Sequence, residues 1–177
     1  AEFVEQVEGT GCQVVYINPG DTLTVGDDED EALILQCLFP YGDEGFVDTN
    51  EQSMILYGQV GDFDMLFTGD IGTETEEVLL SRLENNSSAN LIQNIDVLKV
   101  AHHGSAGSTG EKFLQAVRPK VAIISCGVNN PYGHPHKETL ERLEDVGGVI
   151  MTTSESGAIT IKIRRGKMRV ECYLDRK

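Results

Sequence analysis

Basic residues are scarce in this 177-residue chain: 14 Lys and Arg stand against 29 Asp and Glu, a formal net charge of −15. General affinity for nucleic acid comes from Lys and Arg displacing counterions from phosphates, so this balance excludes a broadly basic binding surface and leaves only local contact. Long apolar runs are missing too. None approaches the roughly 20 residues of a bilayer span, and the opening AEFVEQVEGTG has neither the basic start nor the apolar core of a signal peptide. A soluble polypeptide is expected. Four cysteines, Cys12, Cys37, Cys126 and Cys172, are scattered with no CxxC spacing. That pattern argues against a cysteine zinc site or a dense disulfide scaffold and reads them as small buried hydrophobes. The GxGxxG, P-loop, GxSxG and HExxH signatures are all absent, so nucleotide-phosphate cradles, α/β-hydrolase chemistry and zincin chemistry have no anchor.

What is present is an ordinary globular composition, 40% hydrophobic and 24% charged with 19 Gly and 5 Pro. The length suits one domain, residues 1–177, and no repeat or linker interrupts it. Residues 13–17, 22–25, 33–39, 54–57 and 65–68 are β-branched, aromatic or otherwise apolar runs bounded by turns such as NPGD and GQVGD. They predict hairpin-connected antiparallel sheet. The acidic stretch Asp27-Asp28-Glu29-Asp30-Glu31 lacks the spaced ligands and central Gly of an EF-hand and reads as a solvated turn. After Asp70 the pattern alternates. Helices are expected over 73–84, 111–117 and 137–145, strands over 97–100, 121–125 and 149–153, and a closing hairpin over 158–163 and 168–173 about Arg164-Arg165-Gly166-Lys167. The outcome is an α+β fold in which helices cover sheets in layers.

Three segments put polar, metal-competent residues directly after an apolar strand, where a rigid sheet can hold a site at its edge. The first, Met65-Leu66-Phe67-Thr68-Gly69-Asp70, ends in a carboxylate that reads either as a metal ligand or as the cap of the following helix. The second, Val97-Leu98-Lys99-Val100-Ala101-His102-His103-Gly104-Ser105, holds two adjacent histidines. Neighbours on an extended chain point to opposite sides, so one imidazole is expected to face a metal or substrate and the other to bond into the scaffold. The plainer alternative is that both satisfy backbone groups in a buried loop. The third runs from Ile123 to His136 and presents Asn129, Tyr132 and His134 on a loop stiffened by Pro and Gly. It suits an anionic or sugar-phosphate substrate bound through hydrogen bonds and a titratable imidazole. Otherwise it is only a turn, with His136 capping the helix at Lys137. Cys126 has no basic neighbour to lower its pKa and is a poor nucleophile.

In this order the segments resemble the metallo-β-lactamase superfamily, and within it the C-terminal hydrolase domain of ComEC-type DNA-internalisation competence proteins. That pattern is a strand ending in TGD, a helix, a strand running into HHGS, a Pro before an apolar strand ending in Ser, an N-x-YGHPH-like loop and helix, and a T-x-x-x-G-x-I hairpin. The matching residues are Phe67-Thr68-Gly69-Asp70, Leu98-Lys99-Val100-Ala101-His102-His103-Gly104-Ser105, Pro119, the run 121–125, Asn130-Pro131-Tyr132-Gly133-His134-Pro135-His136, and Thr153 with Gly157-Ala158-Ile159. Upstream, Gly20-Asp21-Thr22-Leu23 and residues 50–56 resemble the same domain's G-D-x-L turn and N-x-x-S strand. The resemblance spans about residues 11–163. The HxHxDH loop that supplies most metal ligands in that superfamily is absent, and all four histidines, His102, His103, His134 and His136, lie in the second half.

The resemblance implies a metallo-β-lactamase-like αββα sandwich, incomplete here for want of its N-terminal strands, with one or two divalent ions, zinc or manganese, in a cleft at the sandwich edge. The implied catalytic set is Asp70, His102, His103 and His134. Asp70 and His103 would hold metal, His134 would steady a scissile phosphate or protonate a leaving oxygen, and Ser105, Asn129 and Tyr132 would contact substrate. Metal-bound water would supply the attacking hydroxide. The implied activity is a nuclease that cleaves DNA during uptake. One rival is a small-molecule or ester hydrolase, secreted or surface-attached, and another is a non-catalytic structural or partner-binding domain. The resemblance puts the domain on the extracellular face of the cell membrane within a larger membrane protein, or has it secreted, with membrane contact only through other parts of the parent. Without the HxHxDH half this chain alone would be inactive, and it would self-associate through the apolar face that the missing strands should cover.

Overall fold

A computed structural model describes residues 2–26, 32–42, 44–86 and 88–174. Helix α1 (Glu2–Gly9) comes first, and the strands β1 (Thr22–Val25), β2 (Leu33–Phe39), β3 (Ile55–Val60) and β4 (Phe63–Phe67) then pair in sequence as antiparallel neighbours. From β4 onward the pairing is parallel. Helices α2 (Thr73–Asn85), α3 (Glu111–Val117) and α4 (Lys137–Asp145) connect β4 to β5 (Val97–Lys99), β6 (Val121–Ile124) and β7 (Val149–Thr152), because a parallel strand can be reached only by a long crossover. The result is a seven-stranded sheet in the order β1 to β7. A single turn, α5 (Thr153–Ser156), leads to the separate hairpin of β8 (Ile159–Arg164) and β9 (Lys167–Cys172). Reciprocal bonds fix the β4–β5 register: Asp64 accepts from the Asp96 N–H at 2.8 Å and Asp96 from the Asp64 N–H at 3.1 Å.

Period-two alternation sorts the sheet's side chains. Leu66, Leu98, Ala122 and Ile124 are fully buried on the helical side, against Leu79 and Leu83 of α2, Phe113, Leu114 and Val117 of α3 and Leu143 of α4. On the other side Met65, Phe67, Val97, Lys99 and Ile123 line a cavity of about 300 Å³ together with Ile159 and Ile161 of β8. The α+β expectation is met in three layers: helices, large sheet and hairpin. The outer helical layer of a complete αββα sandwich is not formed by the described residues. The hairpin covers only part of its face. Leu23, Val25 and Phe67 remain 44%, 53% and 40% exposed, and this is the surface on which self-association is expected.

Several expectations need correction. Residues 13–17 form no strand; Val15 and Tyr16 are exposed. Their β propensity finds no neighbouring strand to pair with, and propensity without pairing does not make a sheet. The turn expected over GQVGD is only Gly61-Asp62, so β3 continues through Gly58 to Val60. Of the cysteines only Cys37 is buried, and Cys12 is exposed. The acidic run 27–31 lies outside the described residues. Among those residues no helix is long and apolar enough to cross a membrane.

Candidate active site

The strands β4 to β7 all end at one edge of the sheet, and the three singled-out segments are the exits of β4, β5 and β6. At the first, Gly69 sits at φ 56°, and a Cβ there would come within 2.6 Å of the Ser53 side chain, so only glycine permits this turn. The turn is held by the Asp70 N–H on Ser53 Oγ at 3.2 Å and by the His102 N–H on the Gly69 carbonyl at 3.1 Å. Asp70 is not the cap of α2. The free N–H groups of Gly72 and Thr75 go instead to the Glu51 carboxylate at 3.1 and 3.2 Å, which leaves the Asp70 carboxylate available.

At the second exit the chain does not stay extended. His102 (φ 45°, ψ 44°) and His103 (φ 55°, ψ 20°) are both left-handed, a conformation that costs roughly 1–2 kcal/mol per non-glycine residue. The expectation that the two imidazoles point to opposite sides therefore fails. Both approach His134, with ring centroids 5.8 Å (His102) and 6.4 Å (His103) away. His103 Nδ1 lies 2.7 Å from the Ser125 carbonyl. A carbonyl can only accept, so Nδ1 is the donor in this contact and Nε2 is turned to the other side of the ring. That Nε2 is 3.7 Å from Asp70 Oδ1.

Groups far away in sequence hold the loop after the histidines. Glu76 of α2 is buried and accepts from the N–H groups of Thr109 and Gly110. Burial pushes its carboxyl up to about 7, against the pull of those two N–H groups and of Arg142. The Arg142 guanidinium of α4 donates to the carbonyls of Ala106, Ser108 and Thr109. Gly104 packs so closely that a Cβ would come within 2.7 Å of Pro135. Glu51, Glu76 and Arg142 were not singled out from the sequence, and Ser53 was met only as the serine of the N-x-x-S stretch, without this supporting role. Each acts on backbone 17 or more residues away, and no local pattern marks such a partner.

At the third exit a cavity of about 410 Å³ is lined by His103, Ser125, Cys126, Gly127, Asn130, Tyr132, His134 and Thr153. Tyr132 is 74% exposed, and its ring lies nearly parallel to His134 at 5.8 Å. Partial burial and then the other imidazoles hold His134 below the ordinary histidine range, while Asp70 opposes them. Asn130 shapes the loop: its amide oxygen accepts from the His134 N–H at 2.9 Å, and its nitrogen donates to the carbonyls of His134 and Gly127. Asn129, at φ 55°, lines an adjoining cavity of about 390 Å³ that also borders His134. Ser105 Oγ accepts from the Gly107 N–H at 3.3 Å, within its own loop. His136 stands at the start of α4, but its side chain caps nothing there; Nδ1 accepts from the Ala106 N–H at 2.9 Å.

Three curated proteins match most of the chain at 33% identity: ComE operon protein 3 of Bacillus subtilis (strain 168), Recombination protein 2 of Haemophilus influenzae and Competence protein ComA of Neisseria gonorrhoeae. They cover 87%, 80% and 71% of this chain respectively. The chain is therefore similar to one part of proteins named for competence and recombination. It spans less than a fifth of those relatives, between 17% and 18% of their length. No family model matches the sequence. Among solved structures, a CmlA beta-hydroxylase E377D mutant superposes with a TM-score of 0.50 at 15% identity, covering 80% of this chain and 32% of that one. The likeness is one of fold, and that fold is the metallo-β-lactamase fold expected from the sequence.

The donor set can be compared with what an implied ion needs. A catalytic zinc takes three protein ligands and a water. Asp70 Oδ1 and His103 Nε2 face each other as two donors, and no group of three or more His, Cys, Asp or Glu among the described residues gathers into a metal cage. The described residues of this chain do not by themselves fit a resident divalent ion.

Proposed function

We propose that this chain carries part of a phosphodiester hydrolase site whose substrate is DNA being taken up by a cell. The observation that carries this reading is the convergence of Asp70, His102, His103 and His134 at the exits of parallel strands, where ligands collect in open α/β sheets. The left-handed histidine pair adds support, because backbone strain of this kind concentrates at active sites. Asp70 and the Nε2 of His103 orient a water. His134 takes its proton as the oxygen attacks phosphorus and returns that proton to the leaving oxygen. Tyr132, stacked on His134, and Asn129, in the cavity beside it, would contact the neighbouring nucleotides, and Ser105 shapes the histidine loop. These are the parts of the reaction that this chain's own groups can supply. Zinc or manganese would join Asp70 and His103 only with further ligands from outside this chain. The relatives are named for competence and recombination; DNA as the substrate, and work outside the membrane as part of a longer membrane protein, belong to this proposal.

The two-donor count favours one rival, a non-catalytic partner-binding domain. Labelled single- and double-stranded DNA incubated with this chain, and with the longest natural product that contains it, separates the two. The expected result is cleavage by the longer product that needs a divalent ion, falls about 10²- to 10⁴-fold in His134→Ala, and is lost in Asp70→Ala. Absence of divalent-dependent cleavage by the longer product overturns the hydrolase reading and leaves the binding domain.

A further inference from the structure

The chain as a whole repels polyanions, yet five of its fourteen basic residues fall within eight consecutive positions: Lys162, Arg164, Arg165, Lys167 and Arg169. The alternation of β8 and β9 turns Ile161, Ile163, Met168 and Val170 toward the large sheet and leaves all five cations exposed on the opposite face or at the turn. Register then sets like charges face to face. Lys162 stands opposite Arg169, and Arg164 opposite Lys167, an arrangement that destabilises a hairpin unless an anion relieves it. Glu171 relieves the first pair, 2.6 Å from Lys162 and 3.3 Å from Arg169. At the tip, no ion pair to Arg164, Arg165 or Lys167 is found among the described residues.

The turn itself is strained toward the same end. Its two central residues, Arg165 and Gly166, have φ of 52° and 67°, as a type I′ turn requires, and such turns favour Asn-Gly or Asp-Gly. A long cation occupies the position where the backbone favours Asn.

We propose that the outer face of the β8–β9 hairpin is a docking strip for the phosphate backbone of a single-stranded nucleic acid. Residues on one face of a strand repeat every ~6.6 Å, and the two strands lie ~4.8 Å apart, so the strip is a narrow track that a thin polymer can follow. A flat anionic membrane would press against the acidic remainder of the surface, and the hairpin's apolar side chains face inward and cannot insert. The tip borders the Gly61-Asp62 turn, at the start of β4, whereas Asp70 lies past the other end of that strand. The strip therefore runs along the sheet toward the cleft and would hold the part of a strand not yet at the site. The inference rests on the reading of the cleft as a phosphodiester site, but its test reads binding alone.

The test is fluorescence anisotropy of a fluorescein-labelled oligothymidylate of 20 nucleotides with this chain, without divalent ions, over a NaCl series. Replacing the tip cations together (Arg164→Gln, Arg165→Asn, Lys167→Gln) is expected to weaken binding at least tenfold at low salt. It should also lower the slope of log K against log salt by about 2, at roughly 0.7 per phosphate contact. Arg165→Asn alone is expected to weaken binding while the melting temperature holds or rises, which separates lost charge from lost structure. No binding by the unaltered chain, an unchanged slope in the triple variant, or an equal loss in a control Lys112→Gln, Lys137→Gln variant on α3 and α4 overturns the strip. Tighter, tip-dependent binding to phosphatidylglycerol vesicles at equal anion concentration also overturns it, in favour of a lipid surface. Any of these results leaves the hydrolase reading standing, because cleavage is measured separately on the cleft variants.

Discussion

Strands β1 to β3 and strands β4 to β7 share one sheet, but the proposed catalytic groups lie beyond the second set alone. In the antiparallel set successive strands leave at alternate edges, so their connections are spread over both ends of the sheet. In the parallel set every strand leaves at the same edge, and Asp70, the histidine pair and the His134 loop are brought together there. The antiparallel set still contributes from its own loop: the turn Asn50–Gln52 before β3 supplies Glu51, which caps α2, and Ser53 beside it supports the Asp70 turn. The difference teaches that strand direction decides where chemistry collects, and that burial decides which strands bear the fold's stability.

Four substitutions sharpen or break that comparison. Leu98→Ala, in the fully buried centre of the parallel set, is expected to cost about 2–5 kcal/mol of stability in urea denaturation. Next comes Glu76, whose carboxyl folding raises from 4.5 to about 7. The native state then holds the extra proton between those values, so its contribution is full below the window and falls by roughly 3 kcal/mol as pH rises through it. Glu76→Gln is expected to flatten this slope in denaturation curves taken at pH 4.5 and pH 7.5, and an unchanged slope would place the titrating group elsewhere. His103→Gly should gain about 1 kcal/mol by releasing a left-handed residue while abolishing any cleavage; a loss of stability would show that the pair is held by contacts stronger than its strain. Smallest is Leu23→Ser on the exposed edge strand, expected to stay within about 0.5 kcal/mol. A large loss there, measured at low protein concentration, would mean that this edge bears stability after all.

Much of the fold was legible because its signals are local. The helices at Glu111–Val117 and Lys137–Asp145 fall at their expected bounds, and β1 and β2 likewise, since periodicity and turn residues lie within each segment. Residues 13–17 carried the same signal and failed, because a strand also needs a partner. The positions of Asp70, His103 and His134 at strand exits followed from the apolar runs before them. Their mutual geometry did not. Asp70 seemed suited to cap α2 until Glu51, from an earlier loop, took that role. The separation of His102 and His103 assumed extended backbone, whereas the turn places both in the left-handed region, pinned by the Gly69 carbonyl and by Gly104 against Pro135. Asn130 rather than Asn129 lines the cavity with His103, a one-residue difference set by the turn.

The sequence by itself determined the alternation of strands and helices, the acidic character of the chain and the three segments that end in chemistry-bearing residues, because each depends on neighbours within a few positions. Tertiary structure alone decided that Glu51 frees Asp70, that Glu76 and Arg142 brace the histidine loop, and that the outward face of the hairpin, with its four strand cations and Arg165 at the turn, is left uncovered in an otherwise acidic molecule. Those outcomes depend on backbone groups brought together across many residues by strand pairing and core packing, and on register, which sets the face each side chain takes.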